Sequence, residues 1–419
     1  MKVIVFMVRG LQAAYLGCYG NQWAVTPTID GLAAEGVVFD QHYAECPQAE
    51  IADLGWSTGC YHLPFAAMTS AGRVATSRAL PAILQQNRIP AMRVGGRWLL
   101  EAHGGVGWKE MTKRKASAKN ITENLGKTAA DALKKLSGED QWLLCVESTA
   151  LLSPWRLPAE FRDMYFQIDG DEVVPEGERA ETATPMTGQL PQRVDEDELT
   201  LQESIRFTYG GAVSFVDDAI GQVLAETEPL LDEALLIVTS DRGLPLGEHG
   251  WVGESLPAPH EELIHIPLII RLPRTIAGGR RVSALTQPVD LYPTILERFG
   301  LKVSAAYGSS LSSLCQGRDQ SIRPYACSGM HFNDSASWAL RTPRWGLIVE
   351  RWRPGVESDG VRRLYVKPED RWEVNDVAQH HPDQAQCLAD TLGAFIQATR
   401  DHGPIQYPEL HEIGTSGPI

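Results

Sequence analysis

Four apolar runs with almost no polar alternation constrain this chain most strongly: VIVFMV (3–8), WLLCVES (142–148), ALLIVTS (234–240) and PLIIRL (267–272). Successive side chains of a strand point to opposite faces, so a run that is apolar at nearly every position must be covered on both. Helical patterns lie between the runs. Thr26-Pro27-Thr28 opens one that runs through Ala34 and stops at Gly36, and Thr122 to Leu136 forms another. Ile205, Tyr209, Ala212, Val213, Val216, Ile220, Val223 and Leu224 make a single apolar helical stripe, which reads as core. Buried strands alternating with helices predict an α/β fold around a central, mostly parallel mixed sheet.

The pattern changes after about residue 310. SWALRTPRWGLIVERW and RRLYVK read as antiparallel strands, and a helix is expected from Pro382 to Arg400. The expected organisation is a large α/β domain over residues 1–310 and a small C-terminal α+β subdomain with an antiparallel sheet over 311–419. Residues 167–200 are acidic and rich in Pro, Gly and Thr, and read as a surface excursion. A net charge of −15 argues against nucleic acid or an anionic membrane as partner. The seven cysteines show no metal-type spacing and read as buried thiols. The N-terminus enters a strand at once, without the apolar stretch and cleavage site of a signal peptide. No later run reaches the about 18 apolar residues of a membrane span, so the expectation is a soluble, cytoplasmic protein.

Several stretches carry a family resemblance. LGCYGNQWAVTPTIDGLAAEGVVF (16–39), FDQHYAECPQAEIADLGWSTG (39–59), IVTSDRGLPLGEHG (237–250), IPLIIRLPRTIAGGRRVSALTQPVDLYPTILERFGL (266–301), WALRTPRWGLI and LYVKPEDRWEVNDVAQHHPD follow one another in the order of the sulfatase signatures. The chain thus resembles the sulfatases, the sulfuric ester hydrolases of the alkaline phosphatase superfamily. That resemblance implies the sulfatase fold, and in an active member a calcium or magnesium ion held by carboxylates and a formylglycine nucleophile made from cysteine.

Carried over position by position, the same resemblance places unfamiliar residues at the site. The nucleophile segment aligns without a gap between Tyr43-Ala44-Pro47 and Thr58-Gly59, which puts Ala49 at the formylglycine position and Asp53 at the Arg that steadies it. The metal-binding Asp pair after the first strand becomes Arg9 and Gly10, and the second pair becomes Asp241 and Arg242. Only Asp241 keeps a ligand type. The substrate-binding Lys and His fall near Arg97 and Leu99, a later His becomes Leu152, and the late substrate Lys becomes Glu254. A methyl group cannot serve as nucleophile, and guanidiniums repel a divalent cation.

The expected reading is a sulfatase-like pseudoenzyme without metal or formylglycine, with a structural, interaction or regulatory role and an unidentified protein partner. Arg9, Arg242, Asp241 and Asp53 are expected to form a salt-bridge cluster. Two alternatives stand beside it: a binder of a small anion or sulfated saccharide through Arg9 and Arg242, and a sulfuric or phosphoric ester hydrolase with an unorthodox site. His249, in GEHG, reads as a loop-ordering residue. His260 and His265 flank Glu261-Glu262 at a spacing unlike that of a helical zinc site. Trp338, Trp345, Trp352 and Trp372 read as core or domain-interface residues.

Overall fold

The computed structural model describes residues 1–62, 79–95, 108–110, 124–166, 183–227, 230–254, 257–302, 307–332, 335–352, 360–399 and 406–410. Among these residues the strands form an eight-stranded sheet, in the order β4-β3-β5-β1-β6-β7-β2-β8, and a four-stranded sheet, β12-β11-β10-β9. The large sheet comprises β1 (Lys2–Val8), β2 (Val37–His42), β3 (Ala91–Gly95), β4 (Trp108–Glu110), β5 (Trp142–Ser148), β6 (Ala234–Thr239), β7 (Leu268–Arg271) and β8 (Arg280–Thr286). Strand β1 pairs parallel with β5 and β6, β3 with β4 and β5, and β2 with β8. Strand β7 alone runs antiparallel to its neighbours in this sheet, β6 and β2.

The uninterrupted apolar runs are explained by two cores, one on each face of the sheet. Ile4, Phe6 and Val8 of β1 join Leu144, Val146, Leu236 and Val238 on one side. Val3, Val5 and Met7 join Leu143, Cys145, Leu235 and Ile237 on the other. The first face is covered by α1 (Pro27–Glu35), α4 (Leu125–Leu136) and the long α5 (Leu199–Thr227), whose buried residues include Ile205, Tyr209, Val213, Val216, Ile220 and Val223 of the expected stripe. The second is covered by α2 (Ala49–Thr58), α3 (Leu80–Gln86) and α6 (Leu291–Arg298). All seven cysteines are free thiols, five of them buried.

The small sheet is an antiparallel meander of β9 (Ala326–Phe332), β10 (Ser335–Arg341), β11 (Trp345–Trp352) and β12 (Val361–Val366), covered by α7 (Pro382–Thr399). Trp338 and Trp345 are buried in its core, whereas Trp372 is half-exposed. Leu311, Leu314 and Cys315 pack into the core of the large domain, so the chain crosses to the small sheet later than residue 310. Part of the acidic excursion, 167–182, lies outside the described residues. The remainder is tied down: Thr184 and Met186 donate backbone N–H bonds to Ser204 Oγ and Thr208 Oγ1 at 3.1 and 2.9 Å. Val194 and Val252 donate their backbone N–H groups to the main-chain oxygens of Gly250 and Gln192. Helix α5 begins at Leu199, two residues inside the expected loop. No helix among the described residues is long and apolar enough to cross a membrane.

Candidate functional site: a buried guanidinium–carboxylate network

The C-terminal ends of β3, β5, β1 and β6 lie side by side, where open α/β sheets present functional groups. Arg9 follows β1 directly, Glu147 is the penultimate residue of β5, Arg93 is the central residue of β3 and Asp241 lies just beyond β6. Helix α2 supplies Asp53 and Trp56 from the adjoining face. All of these side chains are buried.

Arg9 spends every guanidinium nitrogen on a different carboxylate. Its Nε donates to Glu147 Oε1, Nη1 to Asp241 Oδ2 at 2.9 Å and Nη2 to Asp53 Oδ2 at 2.7 Å. Arg93 closes the other side, donating from Nε to Glu147 Oε2 at 2.7 Å and from Nη2 to Asp53 Oδ2 at 3.2 Å. Arg242 donates from Nη1 to Asp241 Oδ2 and from Nη2 to Glu254 Oε1 at 2.6 Å. Gly10 donates its N–H to Asp241 Oδ1 at 3.2 Å, and Trp56 its indole N–H to Asp53 Oδ1 at 3.1 Å. Three guanidiniums therefore face four carboxylates. Glu254, with its side chain 49% exposed, is the one member that reaches solvent.

Burial alone would raise the Asp53 carboxyl, but the Arg9 and Arg93 guanidiniums override it and hold the group well below the usual carboxylate range. Burial likewise opposes charge on Arg9, and Asp53, Glu147 and Asp241 more than offset it.

Gly10 has φ +81, the left-handed region that favours glycine, and a Cβ there would lie 2.9 Å from Leu152 Cδ2. Leu152 thus closes the network on its apolar side. Ala49 is the first residue of α2, on the helix that carries Asp53. Arg97 and Leu99 lie outside the described residues.

This donor set does not fit calcium or magnesium. Such cations take six or more oxygens, whereas both oxygens of Asp241 already accept N–H bonds, Oδ2 from two guanidiniums and Oδ1 from Gly10. A divalent ion about 4 Å from one guanidinium would meet a repulsion of roughly 8 kcal/mol at an effective dielectric of 20, twice the unit-charge value. What the arrangement does is tie four sheet strands and α2 together through directed, charge-assisted hydrogen bonds.

Glu147 and Arg93 escaped the sequence reading. Their signal was a charge inside an otherwise apolar strand, CVES and AMRVG, which burial makes costly unless an opposite charge lies near. Glu45 is a second buried group outside that reading: among the described residues neither carboxylate oxygen has a hydrogen-bond partner, and burial pushes its pKa up to about 8. It packs on Gly55 of α2, where a Cβ would overlap the Glu45 carboxylate.

The family profile described as Sulfatase matches residues 115–301, and that described as N-sulphoglucosamine sulphohydrolase, C-terminal, matches residues 247–392. The chain belongs to the sulfatase family. Arg9, Ala49 and Asp53 precede the first of these matches. Among sulfatase relatives, an N-acetylglucosamine-6-O-sulfatase of Bacteroides thetaiotaomicron is 39% identical over 111 residues, which are 26% of this chain and 20% of that protein. An uncharacterized sulfatase of Escherichia coli is 25% identical over 339 residues, 70% of this chain and 66% of that protein. The chain therefore spans a fifth of the first relative and just under two thirds of the second. A protein of known structure in complex with its substrate D-glucosamine-2-N,6-O-disulfate superposes with a TM-score of 0.72 at 20% identity, covering 96% of this chain and 98% of that one. The sulfatase fold thus extends over the whole architecture, including the C-terminal sheet.

Proposed function

We propose that this sulfatase-family protein acts without metal-dependent sulfate-ester hydrolysis, as a structural, interaction or regulatory protein. The observation that carries the reading is Arg9, bonded through three nitrogens to Glu147, Asp241 and Asp53 where the family resemblance places a metal ligand. Ala49 supports it, because a methyl side chain offers neither a nucleophile nor a thiol to oxidise. A small anion at Arg9 or Arg242 would have to displace carboxylates already bonded there, and Glu254 is the one held at the solvent edge. The reading with hydrolysis retained rests on family membership and requires a nucleophile other than residue 49.

The test is turnover of an aryl sulfate and an aryl phosphate by the purified protein, with calcium or magnesium added and after EDTA. No turnover above the uncatalysed rate is expected under any of these conditions. Turnover that EDTA abolishes would overturn the proposal. Turnover indifferent to EDTA would favour the hydrolase with an unorthodox site.

A further inference from the structure

A second buried charge cluster lies at the seam between the two domains. His249, on the loop after β6, has Nδ1 2.8 Å from Glu262 Oε1 and Nε2 3.2 Å from the main-chain oxygen of Glu373. The main-chain oxygen accepts only, and so does the Glu262 carboxylate when ionised; with both accepting, both ring nitrogens donate, and only the imidazolium carries two N–H groups. Glu262 belongs to the large domain and Glu373 to the C-terminal one.

Glu373 is itself fixed in place. Its φ of +59 is unusual for a residue with a side chain. Its carboxylate meets Arg341, Lys367 Nζ at 3.2 Å and His260 Nδ1 at 2.9 Å, and accepts the N–H of Glu261 at 3.2 Å. The His260 ring stacks on His249 with centroids 3.8 Å apart. His260 needs only one N–H for the bond to Glu373, so the stack is satisfied with a single cation.

We propose that His249 is a proton-dependent clasp between the domains: as an imidazolium it bonds Glu262 and Glu373 together, and on losing a proton it releases one of them.

The surrounding charges support this assignment. The turn before β7 presents Glu261 and Glu262, with His265 bonded to Glu261 Oε1 at 3.0 Å. The loop of His249 adds Glu248, and β2 leads to Tyr43, whose hydroxyl lies 3.4 Å from Glu261. The C-terminal domain contributes Glu373 with Arg341 and Lys367, and Arg371 lines a small cavity beside Glu262. Burial alone would lower the His249 pKa; its bond to Glu262, with Glu373 in support, outweighs that and pushes it up to about 9. The sign follows. The folded value lies above the ordinary 6.5, so the contribution to stability is complete below pH 6.5 and is lost as pH rises through about 9.

The experiment is urea unfolding of the full chain and of His249→Gln from pH 6 to 10. Glutamine keeps one donor and one acceptor but no charge. The unfolding constant of the wild type should rise relative to that of the variant by up to about tenfold per pH unit between 6.5 and 9, and the two curves should converge above that. Parallel curves would overturn the clasp. Nitrogen-15 NMR of labelled histidine in the wild type does not depend on the variant folding. Both His249 ring nitrogens should be protonated at pH 7, and a neutral ring there would overturn it equally.

Discussion

Arg9→Ala should destabilise the protein by about 4 kcal/mol or more, the upper range for breaking a buried ion pair. The substitution removes the shared partner of three carboxylates. Asp53 and Glu147 keep Arg93, and Asp241 keeps Arg242, but the remaining two guanidiniums then face the same four acids. In the wild type the folded value of Asp53 is depressed, so its contribution is present above the ordinary carboxylate pKa and lost as pH falls. Without Arg9 the hold on Asp53 weakens, so the variant should lose less of its stability than the wild type between pH 7 and pH 3, which urea unfolding at the two pH values reads. An Arg9→Ala protein as stable as wild type at pH 8 would show that the network holds nothing together.

Glu373→Ala is the second large effect, about 3–5 kcal/mol. It leaves Glu261 as the carboxylate shared by Lys367 and by Arg341, which is 1% exposed, and removes the carboxylate that His260 bonds. Alanine must also adopt the φ of +59 found here, which costs about 1 kcal/mol that glycine avoids. Glu373→Gly should therefore be the milder of the two, though still well below wild type. Because Glu373 is donated across the seam, calorimetry should show the C-terminal domain melting ahead of the large one in both variants. One cooperative transition at the wild-type temperature would contradict this role.

The fold was legible because its signals are local and strong. Runs such as VIVFMV are apolar at every position, and only a strand covered on both faces uses all of them, as the division of Val3, Val5 and Met7 from Ile4, Phe6 and Val8 between two cores demonstrates. The placing of Arg9, Asp53, Asp241 and Arg242 in one cluster followed from laying the chain on a family frame, since 232 positions separate Arg9 from Asp241. Where the frame carried no site residue, pairing was invisible. Glu147 and Arg93 lie 54 positions apart, and Glu373 and His260 113. Each is a single charge in an unremarkable stretch until the sheet or the seam brings its partner up. Glu261-Glu262 with His260 and His265 have a spacing unlike that of a helical zinc site, and nothing local in the sequence shows what they pair with. Their partners, Lys367, Arg341 and Glu373, come from the other domain.

Guanidiniums stand where an inorganic cation would neutralise Asp241. Calorimetric titration of calcium, and separately of magnesium, into protein stripped with EDTA tests it most directly. No saturable heat is predicted up to millimolar concentrations; one-to-one binding in the micromolar range that Asp241→Asn removes would contradict it.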